Sequence, residues 1–272
     1  MKKRFIILID FSEYSGNLIK YAFGWSKLVG AELLLVHQTI VLAPALTDNN
    51  SRQEIIQIAN HRELKKLKLL ARDLIPQTVK ISFSVSEINL QLSLNKFLAE
   101  PFDNLIFTGL KGSGIFKKIF IGSVALQVID NIKNIVVALP KEIAIFSQEK
   151  IFVAVTIIHP LNILELHKFL NFINKDNTSI TFFYLAKPNE KTVNIEKLLR
   201  DLTSLFAGTF KINFAIYEGK DPFQDIRKVI NNKEEEILIV QKGSRLWTDQ
   251  IFRKFLINEL VFEGQTPLVV LP

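Results

Sequence analysis

Near its amino end the chain reads FIILIDFS at residues 5–12, five apolar residues followed by an acid, a ring and a hydroxyl. A strand that is apolar on both faces is typical of a parallel sheet, because helices cover both sides of such a sheet. The next stretch, from about Glu13 to Val29, has a helical pattern. This order predicts an α/β fold with Asp10 at the carboxyl end of a buried strand.

A second apolar run, NLIFT at residues 104–108, leads directly into a glycine motif. Gly109, Gly112, Gly122 and Ser123 form the pattern G-x2-G-x9-G-S in a chain with only 11 glycines. Glycine lets backbone N–H groups approach phosphate oxygens, and a helix that begins near Ser123 directs its positive dipole end at an anion. The motif therefore predicts a phosphate-binding loop. A tight turn with a serine N-cap is the alternative that needs no ligand.

Asp10 and Gly109 are expected at the same edge of the sheet, because ligands of open α/β sheets bind beyond the carboxyl ends of the strands. The Asp10 carboxylate can hold a ribose hydroxyl or a phosphate-bound Mg²⁺. Capping of the following helix is an equal alternative, with Ser12 as a rival for that role. Three lysines that flank the glycines can neutralise polyphosphate or stand in solvent: Lys111, Lys117 and Lys118.

Together these features resemble the universal stress protein family, whose pattern continues here with AELLLVH at residues 31–37, GSV at residues 122–124 and IVVAL at residues 135–139. The resemblance implies a flavodoxin-like domain of the ATP-binding branch, with Asp10 near the ribose and phosphates and backbone near Gln38 at the adenine. The implied ligand is ATP, or AMP or ADP, with Asp10 also near a nucleotide-bound Mg²⁺. The implied nucleotide-binding residues are Ile9, Asp10, Gln38, Gly109, Gly112, Gly122, Ser123 and Val124.

One segment departs from the family pattern. The family usually has a glycine shortly after its third strand, whereas this chain reads SEIN at residues 86–89. Glu87 therefore either enters the nucleotide pocket or points away from it, and the sequence leaves both outcomes open.

The second half of the chain repeats the pattern of the first. Residues 5–10 align with 151–156, 33–38 with 181–186, and 81–83 with 212–214. We expect two tandem flavodoxin-like domains with parallel sheets, at residues 1–143 and 148–272, arranged as a pseudo-dimer. Their apolar closing strands, at residues 135–139 and 268–271, are expected to pair, since either one alone would be a bare sheet edge.

The second repeat lacks the predicted site. Thr156 stands in the place of Asp10, and the same alignment places Val240 opposite Gly109 and Gly243 opposite Gly112. No glycine lies between Gly243 and Gly264 to replace Gly122. We therefore expect nucleotide in the first domain only.

The composition, with 48% hydrophobic residues and no cysteine, is that of a core-rich protein without disulfides or thiolate metal sites. No run reaches the roughly 18 apolar residues of a membrane span, and Asp10 cuts short the only signal-like run, so a cytoplasmic protein is expected. The net charge is +7, but the lysines are dispersed and no nucleic-acid motif accompanies them, which disfavours nucleic acid as a partner.

The sequence predicts a universal-stress-type protein that binds an adenine nucleotide and acts as a stress-response sensor or regulator. An unidentified protein partner and further association into a homodimer are part of this expectation. No catalytic residue is predicted, because Asp10 is the only acid near the loop and no general base is evident. Two alternatives stay open, a nucleotide-free interaction scaffold and a slow ATPase.

Overall fold

The computed structural model describes residues 1–41, 48–76, 78–110, 123–157, 159–218, 236–242 and 266–272, with the backbone only for Ser123. The first half of the chain forms β1 (Lys2–Leu8), α1 (Ser15–Val29), β2 (Glu32–Gln38), α2 (Asn49–Leu74), β3 (Ile81–Ser86), α3 (Leu90–Leu98), β4 (Phe102–Gly109), α4 (Ser123–Asn131) and β5 (Val136–Leu139). The second half forms β6 (Lys150–Ala154), α5 (Ile163–Leu170), β7 (Ser179–Ala186), α6 (Val193–Phe206), β8 (Lys211–Glu218), β9 (Glu236–Gln241) and β10 (Leu268–Leu271).

These strands form a 10-stranded sheet in the order β3-β2-β1-β4-β5-β10-β9-β6-β7-β8. Neighbouring strands are parallel within each half, and β5 and β10 are antiparallel where the halves meet. At this join Leu268 lies opposite Ala138, Val269 opposite Val137 and Val270 opposite Val136. The predicted α/β fold with two parallel half-sheets is confirmed, and so is the pairing of the closing strands.

The two half-sheets have the same strand order, but two of the predicted alignments are wrong by one residue. Gly109 pairs with Leu139 at the end of β5, and Gln241 pairs with Leu271 at the end of β10. Gln241, not Val240, therefore occupies the place of Gly109. Likewise Phe5 pairs with Leu33 and Ile151 with Ile180, so Ile180 rather than Thr181 matches Leu33. Side chains alternate between the two faces of a strand. An alignment that is wrong by one residue therefore assigns each side chain to the wrong face.

The side chains of β1 alternate between two buried layers, as expected for a strand that is covered on both faces. Phe5 and Ile7 belong to a core with α1, α2, α5 and α6, whereas Ile6 and Leu8 belong to a core with α3 and α4. Both cores continue across the join between β5 and β10. The halves therefore share their apolar interior on both faces of the sheet.

The first of these cores contains Trp25 of α1, which is fully buried. Its ring stacks on Phe146 of the connecting segment with 4.4 Å between centroids, and its Nε1 donates to the Phe172 carbonyl at 2.7 Å. Phe169 contacts the ring edge-on. One side chain of the first half thus joins the connecting segment and the second half.

Candidate functional site

A cleft of about 340 Å³ opens at the carboxyl ends of β1 and β4. The chain leaves β1 toward β2 and β3 on one side and later adds β4 on the other side, so the strand order reverses between β1 and β4. Helices that follow two such strands diverge to opposite faces and leave a crevice, where ligands of α/β sheets bind. The lining includes five of the predicted nucleotide-binding residues: Ile9, Asp10, Gln38, Gly109 and Val124.

Asp10 lies at the mouth of this cleft and organises the turn into α1. Its Oδ1 accepts from the Ser12 amide at 3.0 Å and from the Ser15 hydroxyl at 3.2 Å. The helix N-cap itself is Tyr14, which makes no side-chain cap bond, so neither Asp10 nor Ser12 has the predicted capping position. Asp10 is exposed, and Ser12, Tyr14 and Ser15 line the same cleft, an arrangement that suits a polar ligand.

The residue after Asp10 has a left-handed backbone, which non-glycine residues rarely adopt. Phe11 has φ of 56°, and such a conformation costs about 1–3 kcal/mol unless contacts offset it. The ring lies 4.5 Å from the His37 ring, and the Lys66 ammonium stands 3.9 Å from its centroid. His37 Nδ1 is also hydrogen-bonded to the Ile9 carbonyl at 2.7 Å. These contacts fix the end of β1, and with it the direction of the Asp10 side chain.

Gly109 ends β4 on the opposite wall of the cleft. A Cβ placed on this residue would meet no atom within 4 Å, and its backbone does not have the positive φ that requires glycine. Neither packing nor backbone geometry within the described residues therefore demands glycine here. What the missing side chain leaves is open space at the end of the strand, where the sequence motif predicts phosphate.

Gln38 lies between two neighbouring clefts. It lines the Asp10 cleft and also a second one of about 350 Å³, together with Ile40. Glu87 lines the second cleft only. The Asn60 amide donates to Glu87 Oε2 at 2.8 Å and lowers the pKa of this carboxyl. Glu87 thus points toward α2 and lines the cleft that also contains Gln38 and Ile40, not the cleft of Asp10.

The remaining predicted residues follow β4. Gly112 and Gly122 lie outside the described residues, as do Lys111, Lys117 and Lys118. Ser123 begins α4, and Val124 is 44% exposed at the first turn, where it faces the cleft. The helix that the glycine motif predicts is therefore present, and its amino end adjoins the cleft.

The corresponding place in the second half is filled by a side chain. Gln241, the counterpart of Gly109, accepts from the Asn162 amide at 3.0 Å and donates to the Pro272 carbonyl at 2.6 Å. Its side-chain amide thus links the start of α5 to the residue that follows β10. Thr156, the counterpart of Asp10, is bonded to the backbone of His159. Among the described residues of this half, a threonine replaces the carboxylate and a glutamine side chain replaces the open space.

Similarity to known proteins comes from structure alone. No protein-family model matches the sequence, and no curated protein gives a significant match. A universal stress protein from Archaeoglobus fulgidus DSM 4304 matches with a TM-score of 0.73 and 16% identity, over 100% of this chain and 99% of that chain. The chain has the universal stress protein fold.

Two proteins of Pseudomonas aeruginosa have related structures. A functionally unknown protein from strain PAO1 matches with a TM-score of 0.58 and 14% identity, over 99% of this chain and 92% of its own. A candidate universal stress protein from strain UCBPP-PA14 matches with a TM-score of 0.57 and 13% identity, over 99% of this chain and 93% of its own. Each of the three matches spans both halves of this chain.

Within this universal stress protein fold, the apolar residues that line the cleft were not predicted from the sequence. Ile40 follows β2, Leu90 begins α3 and Leu110 follows β4, and all three line the Asp10 cleft. Each stands just beyond the end of a parallel strand or at the start of the helix after it. Their positions could have identified them from the sequence, because these segments surround a crevice at the carboxyl edge of a sheet.

Other classes of site find no support in the part of the chain that the structure describes. No group of three or more histidine, aspartate or glutamate side chains there could hold a metal ion. None of the described helices is long and apolar enough to cross a membrane.

Proposed function

We propose that the protein is a universal-stress-type regulator that binds ATP or a related adenine nucleotide in its first half. The observation that carries this proposal is the cleft between β1 and β4, which brings together Asp10, Gln38 and Gly109 from the carboxyl-end regions of three separate strands. Its volume of about 340 Å³ is within the usual range for small-molecule sites, about 300–1,000 Å³.

The residues of the cleft fit a nucleotide from end to end. The open space at Gly109 and the amino end of α4 would receive the phosphates, since helix N-termini favour anions. The Asp10 carboxylate would face the ribose or a Mg²⁺ carried on the phosphates. Ile40 and Leu90, which line the cleft beside Gln38, would contact the base.

The number of nucleotides bound tests this proposal. Because Gln241 occupies the place of Gly109 in the second half and Thr156 replaces the carboxylate, titration calorimetry of the full chain should give one ATP per chain. Mass spectrometry of the denatured protein should also detect any adenine nucleotide that co-purifies with it. A Gln241→Gly variant should keep the same stoichiometry, since it restores space without the acid. Two sites per chain, or none, would overturn the proposal, and the second outcome would favour a nucleotide-free scaffold.

ATP hydrolysis should be slow or undetectable. Asp10 is the only carboxylate among the described residues that line the cleft, and its Oδ1 already accepts two hydrogen bonds. An attacking water needs an oriented general base, and groups that only bind the phosphates do not supply one. Phosphate release at about 1–10³ per second, the range of typical enzymes, together with its loss in Asp10→Asn, would make the protein an ATPase instead.

A further inference from the structure

The carboxyl end of α4 is held by a residue of the second half. The last four carbonyls of a helix have no partner within the helix, and cations at that end stabilise it. No basic residue lies in the last turn of α4 itself. Instead, Lys242, the residue after β9, donates from Nζ to the Asp130 carbonyl at 2.5 Å.

The apolar face of α4 also contacts the second half. Val128 and Ile129 of this helix lie in one core with Leu268 and Val270 of β10, so the second half also covers its apolar face. The helix has only nine residues, and helices of this length are marginally stable without tertiary contacts. Its position therefore depends on the second half as well as on the first.

We infer that Lys242 is a positioning residue for nucleotide phosphates in the first half, acting through α4. This inference rests on the proposed function, because the amino end of the same helix adjoins the cleft. A nine-residue helix is about 13 Å long, so a cation that fixes its last turn also fixes the direction of the N–H groups at its first. The second half, which lacks a site of its own, would thus support the site of its neighbour.

The surroundings of Lys242 provide a matched control. Its ammonium is partly withdrawn from water, which lowers the pKa of this group, while the Asp130 carboxylate raises that pKa and the Lys133 ammonium lowers it. Lys133 is exposed just beyond α4 and carries the same charge. Replacing Lys133 therefore changes the local charge equally but leaves the bond to the helix intact.

The test compares the affinities of the full chain for ATP and for adenosine, which has no phosphates. Lys242→Met should weaken ATP binding about three- to tenfold and leave adenosine binding unchanged, while Lys242→Arg and Lys133→Met should bind both ligands like the wild type. Equal weakening for ATP and adenosine, an equal effect of Lys133→Met, or no effect at all would overturn the inference while leaving the proposed function intact. A wild-type protein that binds no ATP would overturn both.

Hydrogen exchange without nucleotide gives a second readout. Amides at the carboxyl end of α4, over residues 128–134, should exchange faster in Lys242→Met than in the wild type or in Lys133→Met, because the last turn loses its cap. Unchanged exchange in this segment would contradict the inference by a route that does not depend on nucleotide binding.

Discussion

Replacing Gly109 by glutamine should reduce the affinity for ATP by about 100-fold or more, which is about 2.7 kcal/mol of binding free energy. The substitution gives the first half the residue that fills the second half at Gln241. Because a Cβ at position 109 meets no atom of the described residues within 4 Å and the backbone needs no positive φ, the fold should tolerate the change. The new side chain would occupy the space assigned to phosphate. Calorimetric titration with ATP measures the loss.

Gly208→Gln is a suitable control for this experiment. Gly208 also has open space at its Cβ and no positive φ, but it follows α6, away from the cleft. Its variant should bind ATP like the wild type, and both variants should melt within a few degrees of it. If Gly109→Gln binds ATP within a few-fold of the wild type, phosphate does not lie at the end of β4.

Val137→Lys should destabilise the full chain by about 4 kcal/mol or more. Val137 is fully buried in β5 between Phe107 and Val269, its partners in β4 and β10. Complete burial lowers the pKa of a lysine by about 3–5 units, and each unit corresponds to about 1.4 kcal/mol. Urea denaturation measures the loss as a lower midpoint.

The pH dependence of this loss identifies its cause. The pKa of the new lysine is lower in the folded state than in the unfolded state, so the unfolded chain binds more protons, and the deficit should shrink as pH rises toward about 10. Leu205→Lys, at a position that is 56% exposed in the last turn of α6, should change stability by less than about 0.5 kcal/mol. A pH-independent deficit, or an equal one in Leu205→Lys, would mean that burial at the join is not responsible.

The sequence is informative about the fold because β1, β4 and the two closing strands each contain a continuous apolar run, a pattern that is typical of a covered parallel sheet. It misses the start of β1 at Lys2, because Arg4 is polar in sequence although it is buried. Arg4 is satisfied by Asn104 and Glu100, about a hundred residues away, and by the Phe97 carbonyl. Such distant partners are invisible in a local pattern.

The site is predictable only where its residue types are unusual. Asp10 and Gly109 stand out because an acid and a glycine end apolar strands, and the structure brings both to one cleft. Gln241 does not stand out, since its importance follows from the strand register, which the sequence comparison placed one residue away. The left-handed backbone at Phe11 was equally hidden, because an aromatic residue gives no sign of positive φ.

The antiparallel join of β5 and β10 within a single chain has a consequence for what each half can become. Two separate copies that meet through the same strands form a symmetric dimer, in which every substitution occurs twice. Covalent linkage removes this constraint, and it also makes the association of the halves independent of protein concentration. One half can therefore have glycine and an open pocket at position 109, while the other half has glutamine at the equivalent position 241 and serves as a structural support.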